Sequence, residues 1–89
     1  MSHRYTIAWT APAKRAICQD LPESVAAAAL ELITGRLADT PHLAGKALRP
    51  PFTGIWSARR ATYRVLYRID DDHQTVTIDA IRHRRTAYR

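Results

Sequence analysis

The residues best suited to chemistry in this sequence are the arginines of its second half. Residues 54–89 contain eight arginines and four aspartates but no lysine. An arginine side chain stays protonated at ordinary pH, and its planar fork of N–H donors matches the oxygens of a phosphate group. With a formal net charge of +6 on 89 residues, the sequence predicts a phosphate-rich partner. The alternative is a solvated basic surface that serves only solubility.

Other kinds of reaction centre lack the residues they need. The three glycines are scattered along the chain, so no glycine-rich phosphate loop is present. The four histidines lie in different segments and Cys18 is the only cysteine, which leaves no metal-ligand spacing. Ser24 and Ser57 lack the surroundings of a hydrolase nucleophile. We therefore expect a site that uses neither a metal nor a cofactor.

The size of the chain limits the site it can build. A single domain of residues 1–89 buries only about 60–65% of its unfolded surface, which predicts a shallow and open site. The longest apolar run, residues 25–30, is far shorter than the ~20 residues that cross a membrane. One cysteine and the absence of a signal-peptide pattern predict a cytoplasmic protein.

The first half of the chain has the pattern of one strand and two helices. Residues 5–9 are rich in β-branched and aromatic types, which favours a strand. Thr10 is suited to cap a helix that has Pro12 in its first turn and runs to about Gln19. A second helix is predicted from Pro22 to about residue 38, and residues 40–53 are expected to form a loop.

The apolar stripe of the second predicted helix is unusually wide. Its buried face is expected to hold Val25, Ala28, Ala29, Leu32 and Ile33. Ala26, Leu30 and Leu37 fall outside that row. A wide stripe on a small protein favours contact with a partner as well as with the core.

Alternation of apolar and polar residues predicts three strands after Gly54. They cover residues 55–60, 62–69 and 75–83, with a turn at the three consecutive aspartates 70–72. Such strands form an antiparallel meander, and Trp56, Tyr63 and Tyr67 are expected on its buried face. In the last strand Val76, Ile78 and Ala80 are predicted to point inward, opposed by Thr77, Asp79, Ile81 and His83.

These elements together predict an α+β fold with a small antiparallel sheet of four strands. The two N-terminal helices are the cover available for its apolar face. The opposite face is expected to be open to solvent and mainly positive, and it holds Ser57, Arg59, Arg64, Arg68, Asp79 and His83.

The order of these elements and several motifs resemble the RelE/ParE toxin superfamily. Residues 54–67, Gly-Ile-Trp-Ser-Ala-Arg-Arg-Ala-Thr-Tyr-Arg-Val-Leu-Tyr, contain a Trp, an Arg three positions later and a Tyr-Arg pair that leads into an apolar strand. The basic segment 81–89, with Tyr88 near its end, and the Lys46-Ala47-Leu48 segment also fit. The resemblance covers nearly the whole chain. It implies the order β-α-α-β-β-β and the toxin of a type II toxin–antitoxin system, neutralised by a RelB-like antitoxin.

RelE-like members of that family are ribosome-dependent endoribonucleases, which cut mRNA in the ribosomal A site. RNA is cut without metal when its 2′-hydroxyl attacks the neighbouring phosphorus, which needs a base, an acid and cations. The resemblance implies that Arg64 contacts the scissile phosphate and that Arg84, or else Arg85, stabilises charge. It also implies that Tyr88 stacks on a base or takes part in proton transfer.

The sequence departs from the RelE pattern where two strand lysines are expected, because Ile55 and Ser57 stand at those places. His83 lies next to Arg84 on the predicted open face, and an unperturbed histidine titrates near pH ~6.5. His83 is therefore our candidate for proton transfer. Further contacts with RNA or phosphate are predicted for Arg59, Arg68, Arg85, Lys46 and Arg49.

Two other functions fit the same residues. A ParE-like protein would bind DNA gyrase and cut nothing, and a non-catalytic RNA-binding module would explain the missing lysines. The Arg-rich tail and its Tyr88 favour the nuclease. The partners implied are then the ribosome, mRNA and an antitoxin whose helix or strand crosses the arginine face and the helix stripe of residues 25–37.

Overall fold

A computed structural model describes residues 4–60 and 62–84 of the chain, and within them five strands and three α-helices are formed. Their order is β1 Thr6–Trp9, α1 Ala11–Arg15, α2 Glu23–Leu32, α3 Pro41–Ala44, β2 Lys46–Ala47, β3 Trp56–Arg59, β4 Tyr63–Asp70 and β5 Thr75–His83. π-Helical turns extend α1 through Ala16–Asp20 and α2 through Ile33–Leu37. The predicted first strand, the two helices that follow it and the three-stranded meander are confirmed.

The sheet has the strand order β1-β5-β4-β3-β2. The meander β3-β4-β5 is antiparallel as predicted, but β1 pairs with β5 in the parallel direction. The expectation of a four-stranded antiparallel sheet is therefore corrected to a mixed sheet of five strands. A parallel pair is possible here because α1 and α2 separate β1 from the rest of the sheet, whereas hairpin turns join the strands of the meander.

Thr10 fixes the start of α1 as predicted. Its side chain accepts a hydrogen bond from the backbone N–H of Ala13 at 3.3 Å, with Pro12 in the first turn where no N–H is needed. The π-helical extension stops at Leu21, whose extended backbone (φ −86°, ψ 146°) is the conformation that a following proline imposes.

Helix α2 and its extension bury one row of side chains against the sheet. Ala29, Ile33 and Leu37 are spaced four residues apart and are fully buried. The prediction was wrong for two residues, since Leu37 belongs to this row while Ala28 is exposed. Leu37 joins the buried row because the extension adopts π-helical geometry, which shifts the angular position of the residues after Leu32 around the helix axis.

Tyr67 lies at the centre of the buried face of the sheet and has no exposed surface. Its hydroxyl donates a hydrogen bond to the carbonyl oxygen of Pro41 at 2.8 Å, which anchors α3 to β4. Its ring stacks on that of Trp56, with the ring centres 6.4 Å apart. Trp56 and Tyr63 are partly buried against the same core, so the prediction of core roles for these three aromatic residues is confirmed.

Replacement of Tyr67 with Phe should lower the free energy of unfolding by about 1 kcal/mol near neutral pH, since the Pro41 carbonyl loses its donor. Burial raises the pKa of Tyr67 from 10.0 to about 12. The neutral phenol is therefore favoured in the folded state, and this stability is intact below about pH 10 and lost as the pH rises through 12. Urea unfolding across this range should show a shallower alkaline decline for Tyr67→Phe, and parallel declines would contradict the prediction.

Candidate active site

A β-bulge in β5 decides which residues of that strand reach the open face. Leu66 pairs with Ala80 while its neighbour Tyr67 pairs with Ile78, so Asp79 has no partner across the strand pair. The extra residue reverses the alternation that follows it. The hydroxyl oxygen of Thr10 lies 2.9 Å from the carbonyl oxygens of both Ile78 and Asp79, shares its one proton between them and so holds the bulge in place.

The bulge moves His83 from the predicted open face to the buried one. His83 is 6% exposed and lies opposite Tyr63, and Ile81 is buried beside it. The prediction that Ile81 and His83 point outward was wrong, because strict alternation does not hold across the extra residue. A proton carrier has to contact the RNA, and the buried position of His83 does not favour the role predicted for it.

Arg82 takes the position that was predicted for His83, and sequence reasoning missed it. Arg59, Arg64 and Arg82 lie directly opposite one another on β3, β4 and β5. All three are exposed, and we call them the arginine row. The signal that was available in the sequence is the pair Ala80-Ile81, since two adjacent apolar residues break the alternation of β5 and mark a bulge.

The arginine row violates a rule of sheet stability. Like charges directly opposite each other on neighbouring strands destabilise a sheet, and here two such pairs share Arg64. Within residues 4–60 and 62–84, none of the three arginines has an ion pair with an acidic side chain. A local conflict of this kind is typical of a functional site, and a bound anion would relieve it.

Arg68 lies on the same face but is already paired. Its guanidinium makes a bidentate contact with Asp79, at 2.9 Å from Nε to Oδ2 and 2.8 Å from the terminal nitrogen to Oδ1. These hydrogen bonds raise the pKa of Arg68. Of the arginines predicted on the open strands, Arg68 is thus neutralised by the protein itself, whereas Arg59 and Arg64 are available to a ligand.

The remaining predicted contacts lie at different distances from the arginine row. Lys46 is exposed on β2, opposite Ser57 of β3. Arg84 is exposed just after β5, and its backbone N–H donates to the Thr62 carbonyl at 2.8 Å. Arg49 is exposed in the loop before β3, at the end of that strand away from Arg59. Arg85 and Tyr88 lie outside the described residues.

The other end of the open face is acidic. A groove of about 630 Å³ lies between the loop before β3 and the turn after β4, and its lining includes Gly54, Arg68 and the aspartates 70–72. His73 donates to Asp70 through its backbone N–H at 3.1 Å, and its ring nitrogen lies 2.8 Å from the carboxylate, which lowers the pKa of Asp70. The face is therefore polarised, with cations at one end and carboxylates at the other.

Asp71 joins three elements at this acidic end. It accepts a hydrogen bond from the hydroxyl of Tyr5, which raises the pKa of that tyrosine. It also lies 3.2 Å from Nε2 of His42, whose ring contacts Trp56 edge to face at 5.3 Å. These contacts tie the start of β1, α3 and the β4–β5 turn together, so the acidic end is part of the framework of the fold.

Neither a metal cluster nor a membrane-spanning helix is found within the described ranges. No group of three or more His, Cys, Asp or Glu side chains there is arranged to hold a metal ion. None of the helices in that part of the chain is long and apolar enough to span a membrane.

Known proteins resemble this chain over nearly its full length. The family model for the ParE toxin of the type II toxin–antitoxin system parDE matches residues 4–88. Toxin RelE of Mycobacterium tuberculosis is 48% identical over 87 residues, which cover 98% of this chain and 89% of the relative. Toxin RelG of the same organism is 46% identical over 85 residues, with coverages of 96% and 97%.

Solved structures show the same likeness. The crystal structure of the M. tuberculosis RelBE2 toxin–antitoxin complex contains a chain that is 46% identical, with a TM-score of 0.86 and coverage of 91% of this chain and 99% of that chain. The isolated Escherichia coli RelE toxin shares the fold at 16% identity, with a TM-score of 0.71 and coverages of 89% and 83%. The chain therefore belongs to the RelE/ParE superfamily, the toxins of type II toxin–antitoxin systems.

Proposed function

We propose that this toxin is a ribosome-dependent endoribonuclease that cuts mRNA in the ribosomal A site and so stops translation. The reaction is attack of the RNA 2′-hydroxyl on the adjacent phosphorus, and it needs no metal. The observation that carries the proposal is the arginine row, since three cations in register on an exposed sheet match the charge that develops on a phosphodiester in the transition state.

The roles of the individual residues follow from their positions. Arg64, at the centre of the row, contacts the scissile phosphate, and Arg59 and Arg82 flank it from the neighbouring strands. Arg84 extends the cationic surface past β5. Arg85 and Tyr88 keep the contributions inferred from the family, which are charge stabilisation and base stacking or proton transfer.

The shape of the site supports dependence on the ribosome. The arginine row lies on an open face instead of in a pocket, so the toxin alone holds an RNA strand weakly. A ribosome that already holds the mRNA codon supplies the positioning, which can contribute several orders of magnitude to a rate. The carboxylates 70–72 at the other end of the face repel phosphate and favour one placement of the strand. A toxin that acts on translating ribosomes works in the cytoplasm, and this is the location we propose.

The antitoxin is the second partner. The similar M. tuberculosis chain was solved as a toxin–antitoxin complex, RelBE2. An antitoxin segment that covers the arginine row would contribute acidic side chains, since these relieve the repulsion within the row. Leu30 of α2, which is 41% exposed, belongs to the apolar stripe that a crossing helix can bury.

A second candidate function is inhibition of DNA gyrase without any nuclease activity. It is supported by the family model that matches the chain, which describes the ParE toxin. The arginine row favours the nuclease, since binding to another protein does not require three cations in one line.

Primer extension on mRNA in a translation extract separates the two functions. We expect cuts within codons when ribosomes are present and intact mRNA when they are removed. A variant with Arg36→Gln, which removes an exposed charge on the extension of α2, should cut like the original protein. Intact mRNA together with blocked DNA supercoiling by gyrase would overturn the proposal in favour of the second function.

A further inference from the structure

We propose that Lys46 is the general acid of this reaction and protonates the leaving 5′-oxygen. The inference rests on the proposed nuclease function and deepens it, since it names a proton donor for the reaction, a role first predicted for His83. Lys46 was expected only to contact RNA or phosphate. Its place in the sheet gives it a more specific task.

The open face holds few groups that can donate a proton. Arginine is a poor proton donor because it does not lose its proton at ordinary pH, and Asp79 is already engaged by Arg68 through both carboxylate oxygens. Among the described residues of this face, Lys46 is the only lysine. A lysine side chain ends in an ammonium group with three N–H donors, so it is the kind of group that can supply the proton a leaving alkoxide needs.

Lys46 lies close to the arginine row in the sheet. Lys46 lies opposite Ser57, which is two residues before Arg59 on the same face. With strands about 4.8 Å apart and a rise of about 3.3 Å per residue, its Cα lies about 8 Å from that of Arg59 and about 12 Å from that of Arg64. A phosphodiester held by these arginines above Ser57 is within reach of the long lysine side chain.

The fold holds Lys46 in this position. A Cβ on the preceding Gly45 would lie 2.5 Å from the Ser57 carbonyl oxygen and 2.6 Å from the Tyr67 hydroxyl. Only a residue without a side chain lets β2 approach β3 this closely. Lys46 therefore projects from a paired strand anchored to the core, and a catalytic group needs such support.

The bond changes balance without any further reactant. The 2′-oxygen forms a bond to phosphorus and its proton passes to solvent water, while the bond from phosphorus to the 5′-oxygen breaks. The electron pair goes to the 5′-oxygen, which takes a proton from Nζ of Lys46. The products are a 2′,3′-cyclic phosphate and a 5′-hydroxyl, and the neutral amine regains its proton from solvent.

The test uses a substrate whose leaving group needs no acid. Ribosomes are programmed with mRNA that carries either the natural 5′-oxygen or a bridging 5′-sulfur at the A-site linkage, because a thiolate leaves far more readily than an alkoxide. Lys46→Met should slow cleavage of the oxygen substrate by about 10²- to 10⁴-fold. It should cut the sulfur substrate within a few-fold of the original protein.

Matched variants distinguish loss of the proton donor from loss of positive charge. Lys46→Arg keeps the charge but donates protons poorly, so we expect it to stay slow on oxygen and fast on sulfur. Arg64→Gln should be slow on both substrates. Equal losses on both substrates for Lys46→Met, full activity of either Lys46 variant on oxygen, or sulfur rescue of Tyr88→Phe instead, would overturn the inference. Failure of the original protein to cut A-site mRNA would overturn the proposed function itself.

Discussion

Replacement of Arg64 with Gln is expected to lower the rate of mRNA cleavage by about 10²- to 10³-fold, the loss typical when one group that stabilises developing charge is removed. Arg64 is the centre of the arginine row, with Arg59 opposite it on β3 and Arg82 opposite it on β5. Single-turnover cleavage on programmed ribosomes measures the effect directly. Arg36→Gln is the matched control, because it removes the same charge from an exposed position on a helix.

The same substitution should make the folded protein slightly more stable. Two repulsive cross-strand pairs share Arg64, so removal of its charge relieves both, by a few tenths to about 1 kcal/mol each. Arg82→Gln relieves one of the two pairs. The double variant should therefore gain less stability than the two single gains combined, since the Arg64–Arg82 repulsion is removed only once.

Urea unfolding of the four proteins at low ionic strength tests this sign. A loss of stability in Arg64→Gln would show that the arginine is held by favourable contacts in the free protein. The arginine row would then be a structural feature of the sheet and not an anion-binding site. Added phosphate should stabilise the original protein more than Arg64→Gln, because the ligand binds only the folded state.

Most of the framework was predictable because it depends on short-range patterns. The caps and breaks at Thr10 and Pro22, the helical spacing of residues 23–37 and the alternation of β3 and β4 each leave a local trace in the sequence. Arg59 and Arg64 were placed correctly on the open face for this reason, since each lies on a strand without interruption.

The error at His83 has a different origin. A bulge changes the phase of every later residue in its strand, and it is fixed by contacts that are distant in sequence. The Thr10 hydroxyl, almost seventy residues away in the sequence, shares its one proton between the carbonyl groups of Ile78 and Asp79. Strict alternation beyond Asp79 therefore exchanged the faces of Arg82 and His83, and so placed the wrong one of the two on the open face.

The segment 40–53 was predicted as a loop because its elements are too short to show a period. Helix α3 has four residues and β2 has two. Both exist because of tertiary contacts, since the Pro41 carbonyl accepts from Tyr67 and Lys46 pairs with Ser57. The sequence of such a short strand does not indicate which strand it pairs with. The position of Lys46 beside the arginine row is therefore evident only in the folded structure.

The second large effect concerns Gly45. Replacement of Gly45 with Ala should lower the free energy of unfolding by about 3 kcal/mol, the upper part of the range for overpacked sites. The added Cβ would lie 2.5 Å from the Ser57 carbonyl oxygen, which is backbone and cannot rotate away. The backbone at Gly45 is extended, with φ −143°, so any residue can adopt it and the penalty is purely steric.

Gly35→Ala is the matched control. Nothing lies within 4 Å of a Cβ at Gly35, which is in the helical extension of α2. Alanine loses less conformational entropy than glycine on folding, so this variant should be more stable by about 0.5–1 kcal/mol. In thermal unfolding, the same chemical change should thus lower the Tm of Gly45→Ala and raise the Tm of Gly35→Ala.

The contact between Gly45 and Tyr67 gives this prediction a further check. The added Cβ would also lie 2.6 Å from the Tyr67 hydroxyl, and Tyr67→Phe removes that oxygen. The cost of Gly45→Ala should therefore be smaller in the Tyr67→Phe background, although the clash with Ser57 remains. Equal costs in both backgrounds would place the strain entirely on β3. No cost in either would mean that β2 does not approach β3 closely, and the support for Lys46 as proton donor would go with it.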